Sequence, residues 1–272
     1  MNRIDGKVAV VTGGTQGLGA EIARHFGEAG AAGIVTCGRN RAKGDAVAAE
    51  ISSESGCAVK FCQADLSVTD DCRAVAAFAG SEFGRIDVLV NVAAKTDRGT
   101  LIDTSEELFD SIFATNVRAP FFLMQEVVKL MIRGGIEGSI VNIGSISALS
   151  GQPFITAYCM SKGALSTLTR NAGFALLKNR IRVNQLNIGW MSTDGEDRIQ
   201  RLYHGAGDGW EEQAGSDLPF GRLVDPAEVA RAAAFLASED SGLMTGSVVN
   251  FDQTVWGAHE SGAPLPVSAL EV

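Results

Sequence analysis

A tyrosine and a lysine four residues apart, Tyr158 and Lys162 in the stretch AYCMSK, are of types and at a spacing that could do acid–base chemistry. Residues four apart on an α-helix lie on the same face, one turn from each other. An unperturbed tyrosine has a pKa of about 10, and a neighbouring ammonium favours its phenolate form. The same spacing also occurs by chance on ordinary helix surfaces. The pair therefore needs support from the rest of the chain.

A glycine-rich stretch near the N-terminus has the spacing of a nucleotide-binding turn. VAVVTGGTQGLGAEIARHF begins as a β-branched apolar run, passes through Gly13, Gly17 and Gly19 in the pattern GxxxGxG, and continues as an amphipathic helix. Glycine lets the backbone turn tightly and approach a pyrophosphate, whose charge is stabilised by a helix N-terminus. The alternative is a glycine turn without a ligand, and the strand–turn–helix context argues against it.

The elements that position these residues alternate along the chain. Helix-like segments separate seven short, mostly apolar runs, which begin at Val8, Ile34, Val59, Asp87, Ser139, Arg182 and Ser247. Continuous apolar runs are typical of strands covered on both faces, and their alternation with helices predicts a parallel sheet. We expect one α/β domain over residues 1–272, a Rossmann-like three-layer sandwich with a seven-stranded parallel sheet.

One segment, from about residue 190 to 221, interrupts this rhythm because it is polar and irregular. Long irregular segments in compact α/β domains are more often functional than accidental. We expect a substrate lid here, with short helices over about 196–203 and 210–214. Regular structure resumes after Asp225, a predicted N-cap that is followed by Pro226 at the first helical position.

Composition narrows the class of protein. The net charge of −9 disfavours nucleic acid as a partner, because phosphate binding requires a basic face. Five cysteines and three histidines show no zinc-ligand spacing, so we expect no metal site and reduced thiols. No apolar run reaches the roughly 18 residues of a membrane span. The N-terminus lacks the features of a signal peptide, and we expect a cytoplasmic protein that does not bind a membrane.

Together these motifs make the chain resemble the short-chain dehydrogenase/reductase family over nearly its whole length. The family's TGxxxGxG is found at residues 12–19, and its YxxxK at Tyr158 and Lys162. Its serine, thirteen residues before the tyrosine, matches Ser145, and its asparagine matches Asn116 in NVRAPFF. The resemblance implies an NAD(P)(H)-dependent oxidoreductase that interconverts a secondary alcohol and a ketone.

The resemblance also implies a role for each matched residue. Tyr158 exchanges a proton with the substrate oxygen, and Lys162, with the oxidised nicotinamide, lowers the tyrosine pKa toward neutrality. Lys162 also binds the nicotinamide ribose, and Ser145 donates to the substrate oxygen. Asn116 is expected to kink its helix and to hold a water that relays protons to Lys162.

The end of the second strand bears on the choice of dinucleotide. NAD-binding Rossmann units carry an acidic residue about 20 positions past the glycines. Here Gly38 and Arg39 occupy that place, and Arg41 and Lys43 follow. An arginine can pair with the 2′-phosphate of NADP; the alternative is a solvated helix start with incidental basic residues. We expect NADP(H) to be favoured, with NAD(H) as the alternative.

The cofactor site implied by the resemblance comprises the glycine loop and the ends of several strands. Its expected members are Gly13, Thr15, Gln16, Gly17, Leu18, Gly19, Arg39, Asp65, Leu66, Asn91, Ala93, Tyr158, Lys162, Ile188, Gly189 and Thr193. The chain departs from the family at three points. The family's NNAG reads NVAA from Asn91, its PGxxxT lacks the proline at Ile188, and its terminal DGG reads DQT from Asp252. The first departure puts cofactor affinity in question.

The substrate pocket is expected to combine hydrogen-bonding groups with aromatic planes. Its candidates are Lys95, Ser147, Gln152, Trp190 and His204. Such a lining suits a polyhydroxylated ring or a sugar-derived alcohol; the alternative is that polar residues merely solvate a mobile lid. The second tyrosine of the chain, Tyr203 in the irregular segment, lacks a paired lysine; we favour its assignment to packing, with a place in the substrate lid as the alternative.

Two other functions stay open. A 3-oxoacyl-thioester reductase would use the same chemistry, and Lys129 and Arg133 offer it a basic docking point. A catalytically idle dinucleotide sensor or scaffold is disfavoured by the intact set of serine, tyrosine and lysine. The resemblance implies a homotetramer. The apolar C-terminal tail, GAPLPVSALEV, packs on a neighbour or frays.

Overall fold

The computed structural model describes residues 2–257, so the C-terminal tail lies outside the described residues. The strands are β1 (Val8–Thr12), β2 (Gly33–Gly38), β3 (Ala58–Gln63), β4 (Val88–Asn91), β5 (Ser139–Ser145), β6 (Arg182–Ile188) and β7 (Val248–Phe251). The helices are α1 (Gly17–Glu28), α2 (Arg41–Ser55), α3 (Thr69–Phe83), α4 (Glu106–Phe113), α5 (Ala119–Arg133), α6 (Thr156–Ala175), α7 (Asp194–His204), α8 (Trp210–Ser216) and α9 (Pro226–Ala237). This alternation confirms the predicted α/β class.

The seven strands form one parallel sheet in the order β3-β2-β1-β4-β5-β6-β7. The order reverses between β1 and β4, so the carboxyl ends of these two strands flank a crevice. Ligands of open α/β sheets bind at such a switch point. The predicted Rossmann-like fold is thereby confirmed, and it brings the glycine loop after β1 to this crevice.

Helices cover both faces of the sheet. One apolar layer contains Phe26 of α1, Ile51 of α2 and Val229 of α9. The other contains Val75 of α3 and Val127 of α5, with residues of α6 packed against it. The inner strands are buried throughout, as their continuous apolar runs predict, whereas the edge strand β3 alternates between buried and exposed positions.

Local signals explain where helices begin. Asp225 caps α9 by accepting from the Ala227 N–H, and Glu228 completes the capping box, with Pro226 at the first position. Both residues predicted to start this helix therefore do so. Helices α4 and α5 are joined by a π-helical turn, Ala114–Arg118, which contains Asn116.

The irregular segment contains two helices, α7 and α8, each longer than predicted. Its ends are joined by a hydrogen bond from the Val224 N–H to the Trp190 carbonyl, 2.9 Å long. The rings of Trp190 and Trp210 lie 5.8 Å apart and are tilted by 31°. The segment is therefore a folded insertion whose two ends lie side by side on the domain.

Three further observations concern the cysteines, possible metal ligands and the length of the helices. All five cysteines are free. Residues 2–257 hold no group of three or more His, Cys, Asp or Glu side chains that could bind a metal ion. In the same range, every helix is too short or too polar to span a bilayer.

Candidate active site

Strand β5 and helix α6 bring Ser145, Tyr158 and Lys162 together. Ser145 is the last residue of β5 and is buried, with its hydroxyl accepting from the Ser147 N–H at 3.1 Å. Tyr158 lies in the first turn of α6, and its phenol is hydrogen-bonded with Ser145. Lys162, one turn later, is buried, and its Nζ donates to the Ile143 carbonyl at 2.8 Å. Three of the four predicted catalytic residues therefore converge here.

Burial is the main influence on the pKa of Tyr158. Burial raises the pKa of Tyr158 to about 12, although the hydrogen bond with Ser145 acts in the opposite direction. Lys162 lies 5.6 Å from the Tyr158 ring centroid, and its ammonium is directed at a backbone carbonyl. Burial of the phenol acts against the predicted lowering of the tyrosine pKa, and a lowering by Lys162 together with an oxidised nicotinamide stays a prediction. At neutral pH the phenol is protonated and can act as a proton donor.

The buried ammonium of Lys162 lowers the free energy of unfolding, and the pH dependence of stability measures this effect. Burial lowers its pKa from the ordinary value of 10.5 to about 8. Between these values the unfolded chain binds more protons than the folded one, so this group makes stability rise with pH. We compare the free energy of unfolding of the wild type with that of Lys162→Met. The difference between the two proteins should shift by about 2 kcal/mol in favour of the wild type between about pH 7.5 and about pH 9.5. Urea unfolding of both proteins at the two pH values measures the gain.

The exposed Lys178 provides the matched control for this experiment. Lys178→Met should follow the wild type in parallel at both pH values, because an exposed side chain is in contact with water in both the folded and the unfolded chain. Parallel curves for Lys162→Met and the wild type would contradict the assignment of a depressed lysine pKa.

Asn116 lies in the π-helical turn between α4 and α5, and the helix is irregular there as predicted. Its Oδ1 accepts from the Lys95 N–H at 2.8 Å, and its Nδ2 donates to the Lys95 carbonyl and to Ser161 Oγ. Asn116 therefore ties the loop after β4 to α6. Because these bonds occupy the side-chain amide, the proposed water relay to Lys162 stays a prediction.

The glycine loop fits a dinucleotide. Gly13 and Gly17 have φ of 69° and 52°, in the left-handed region that favours glycine. A Cβ on Gly19 would lie 2.4 Å from the Gly13 carbonyl oxygen, so only glycine allows this close turn. Helix α1 has no side-chain cap at Gln16 and no acidic residue in its first turn. Its first N–H groups are therefore left for an anionic ligand.

The end of β4 is held against this loop by Thr12. The Thr12 hydroxyl accepts from the Val92 and Ala93 N–H groups at 2.8 and 3.0 Å. A Cβ on Gly13 would lie 3.1 Å from the Ala93 Cα, so the loop after β4 packs closely on this glycine at the alanine that the family pattern retains. Thr12, Leu66, Asn91 and Ala93 line one small crevice. The TGxxxGxG motif includes Thr12, but the spacing of the motif gives no sign of this role.

The adenosine end of the site lies across β2 and β3. Asp65 accepts from the N–H and hydroxyl of Ser67, and these bonds hold the pKa of its carboxyl below its ordinary value. Arg39 is exposed, and its carbonyl accepts from Gln63 Nε2 at 3.0 Å. Thr15 packs against Gly38, where a Cβ would lie 2.8 Å from the threonine Cγ2.

Two further basic residues flank Arg39, and both are engaged. Arg41 Nε donates to Gln63 Oε1 at 3.2 Å, and Lys43 Nζ donates to Gln16 Oε1 at 2.6 Å. In residues 2–257 the Arg39 guanidinium makes no hydrogen bond or ion pair, so it is free to meet an anion.

The end of β6 lies between β5 and β7. Ile188 pairs with Ser145 on one side and with Phe251 on the other. Gly189 packs on Asp252, whose Oδ1 would be 2.1 Å from an added Cβ, so the altered DQT stretch supports this turn. Thr193 caps α7, and its Cβ lies 3.7 Å from the place of a Cβ on Gly17. The predicted residues at 188–193 are thus adjacent to the glycine loop.

The predicted substrate residues divide into two groups. Ser147 Oγ donates to Gln152 Oε1 at 2.5 Å next to Ser145, and Trp190 and His204 lie on the irregular segment. Lys95 Nζ donates to Ser111 Oγ at 2.8 Å, so its side chain turns toward α4, and a contact between Lys95 and the substrate stays a prediction.

The second tyrosine, Tyr203, lies at the surface of the irregular segment, whereas packing was the favoured one of its two assignments. It is 42% exposed, and its hydroxyl donates to Asp97 Oδ1 at 3.3 Å. The irregular segment and the loop after β4 are therefore linked by polar contacts. Sequence reasoning missed the most engaged member of this loop, Arg98, because no motif marks it.

Comparison with known proteins identifies the family. The family model described as enoyl-(acyl carrier protein) reductase matches residues 13–254. A sorbitol dehydrogenase from Cereibacter sphaeroides is 32% identical over 258 residues, which cover 93% of this chain and 99% of that protein. The chain belongs to the short-chain dehydrogenase/reductase family. It is therefore an oxidoreductase of the kind that uses a nicotinamide dinucleotide.

Other members are similar over the same length. A 3-oxoacyl-[acyl-carrier-protein] reductase from Chlamydia muridarum is 34% identical over 246 residues, covering 90% of this chain and 96% of that protein. The crystal structure of L-sorbose reductase from Gluconobacter frateurii, complexed with NADPH and L-sorbose, matches with a TM-score of 0.87 and 27% identity. It covers 95% of this chain and 100% of that one.

Proposed function

We propose that the protein is an NADP(H)-preferring oxidoreductase that interconverts a secondary hydroxyl group of a sugar or polyol and the corresponding ketone. The observation that carries this proposal is the convergence of Ser145, Tyr158 and Lys162 at the carboxyl end of β5. The polar and aromatic residues of the irregular segment support the substrate class. The names of the similar sorbitol dehydrogenase and L-sorbose reductase support it independently.

The chain's own residues handle the proton. Tyr158 gives its phenolic proton to the substrate oxygen during reduction and takes one back during oxidation. Ser145 orients that oxygen by a hydrogen bond, and Lys162 keeps a positive charge beside the tyrosine ring at 5.6 Å from its centroid. Asn116 acts as a positioning residue through Lys95 and Ser161. A bound nicotinamide supplies or accepts the hydride.

The dinucleotide would be held by the predicted cofactor residues. The loop from Gly13 to Gly19 and the uncapped start of α1 suit its pyrophosphate. Asp65 and Leu66 would hold the adenine, and the segment from Ile188 to Thr193 the nicotinamide. The free guanidinium of Arg39 supports preference for the 2′-phosphate of NADP(H).

We further propose that the segment over about 190–221 closes over the substrate as a lid, and that the protein is a cytoplasmic homotetramer. Exposed apolar side chains on α4, α5 and α6, among them Phe109, Phe121 and Phe174, support an interface between copies of the chain. The oligomeric state is measured by light scattering of the purified protein.

A substrate panel tests the function. We expect the highest kcat/KM with NADP(H) and a member of the set D-sorbitol, galactitol and L-sorbose, compared with cyclohexanol, a hydroxysteroid and acetoacetyl-CoA. Preference for the thioester would favour the 3-oxoacyl reductase, although the ammonium of Lys129 already pairs with Glu126 at 2.8 Å. Absence of turnover with every compound would favour the idle sensor.

A further inference from the structure

The loop after β4 runs beside the start of α6. The Gly99 N–H donates to the Phe154 carbonyl at 2.9 Å, and the Thr156 N–H donates to the Gly99 carbonyl at 3.1 Å. These two bonds form a short parallel bridge between Gly99 and Ile155. Because Tyr158 follows this bridge by three residues, the side chain of Arg98 is held close to the entrance of the candidate active site.

Arg98 connects three separate parts of the chain. Its Nε donates to His204 Nε2 at 3.2 Å, and its Nη1 donates to the Thr96 carbonyl at 3.0 Å. Its guanidinium carbon lies 5.5 Å from the Phe154 ring centroid. The side chain is only 14% exposed. A guanidinium held this rigidly loses little conformational entropy when it makes one more hydrogen bond.

Glu196 faces Arg98 from helix α7. Its Oε1 accepts from Trp190 Nε1 at 2.9 Å and from Gln200 Nε2 at 2.8 Å. Arg98 Nη2 lies 3.8 Å from the same oxygen, which is too far for a hydrogen bond. Within residues 2–257, neither Arg98 Nη2 nor Glu196 Oε2 has a hydrogen-bond partner. A fixed donor and a fixed acceptor are therefore both left unused.

Both charges act on the catalytic phenol. Glu196 raises and Arg98 lowers the pKa of Tyr158, in addition to the larger effect of burial. Because the two groups oppose each other, a substrate beside Tyr158 meets a pair with no net charge. Such a pair suits a neutral ligand that both donates and accepts hydrogen bonds, which is the chemistry of an alcohol group.

We propose that Arg98 and Glu196 form a substrate-recognition pair that binds the hydroxyl groups next to the reacting carbon of a neutral sugar or polyol. A hydroxyl donates to Glu196 Oε2 and accepts from Arg98 Nη2, and both bonds are charge-assisted. An alcohol without a second hydroxyl leaves the pair unused. The inference rests on the proposed function, and it names the two residues that set the substrate class.

The test compares two ketones with the same enzyme and NADPH, L-sorbose and cyclohexanone. Glu196→Gln and Arg98→Met are expected to lower kcat/KM for L-sorbose by about 10- to 100-fold, the loss of one charge-assisted hydrogen bond. For cyclohexanone, which has no second hydroxyl, the loss should be much smaller, so the ratio of kcat/KM for L-sorbose to that for cyclohexanone should fall in both variants, whereas a change in the Tyr158 pKa would affect both ketones alike. NADPH affinity, measured by the fluorescence of the bound nicotinamide, should be unchanged and also reports that each variant is folded.

Arg201→Met is the matched control, because Arg201 pairs with Asp197 at 2.9 Å on the same helix and lies at a more exposed position. It should leave kcat/KM for both ketones unchanged. Equal losses on the two ketones in Glu196→Gln and Arg98→Met would show that the pair only holds the segment over 190–221 in place. That result would overturn the inference and leave the proposed function standing. A wild type that reduces cyclohexanone but no sugar would overturn the proposed function, and the inference with it.

Discussion

Replacement of Tyr158 by Phe is expected to lower kcat by about 10³-fold, because the proton that reaches the substrate oxygen then has no positioned donor. The phenylalanine keeps the ring and its packing in the first turn of α6. Only the hydroxyl that is hydrogen-bonded with Ser145 is lost. Steady-state reduction of the best substrate of the panel measures the effect. Dinucleotide affinity and melting temperature should remain close to those of the wild type.

The chain supplies its own control for this substitution, since its second tyrosine is Tyr203. That residue is on α7 and donates to Asp97, and no lysine follows it at four residues. Tyr203→Phe should keep kcat within about threefold of the wild type, as expected for loss of an exposed hydrogen bond. Survival of full turnover in Tyr158→Phe would remove the tyrosine from the reaction and return the idle sensor as the leading function.

The second large effect concerns the dinucleotide. Arg39→Asp should reduce the ratio of kcat/KM for NADPH to that for NADH on the order of 100-fold, because a charge-assisted bond to the 2′-phosphate is replaced by repulsion. The carboxylate can instead accept from the 2′-hydroxyl of NAD(H). Initial rates with each dinucleotide at saturating substrate give the ratio. Titration of the free enzyme by fluorescence gives the affinities separately.

Arg133→Asp is the control for the change in net charge. Arg133 ends α5 near the start of β5, at the edge of the sheet opposite to the glycine loop. Its replacement alters the total charge equally but should leave the ratio unchanged. A ratio that stays constant in Arg39→Asp would show that the dinucleotide's phosphate meets another residue, and preference for NADP(H) would then lose its structural basis in Arg39.

The fold was predictable because its signals are local. Each strand is a short apolar run whose hydrophobic pattern is read directly from neighbouring residues. The start of α9 follows from Asp225 and Pro226, which satisfy their own helix whatever packs on it. The helix formed by α4 and α5 is the exception, because its irregularity at Asn116 was expected only from the family resemblance. Its division at Asn116 depends on bonds to Lys95 and Ser161, which lie 21 and 45 residues away in sequence.

The sequence predicted which catalytic residues form the site, but only partly the contacts and orientations of the side chains around them. The spacing from Ser145 to Tyr158 and Lys162 placed three residues that the structure brings together. The orientation of Lys95 toward Ser111 was not predictable, because a lysine has several rotamers and its neighbours in space determine which one is used. Arg98 was missed because its importance lies in contacts with His204 and Glu196, which are far along the chain.

The sequence by itself determined the sheet, the glycine turn and the order of the residues that resemble the family, since periodicity and backbone stereochemistry act over a few residues. Only the tertiary structure decided the ionisation of Tyr158 and the pairing of Arg98 with Glu196. A pKa depends on burial and on charges brought close in space, and a substrate pocket forms between elements distant in sequence. Neither the pKa of Tyr158 nor the pairing of Arg98 with Glu196 follows from a local sequence pattern.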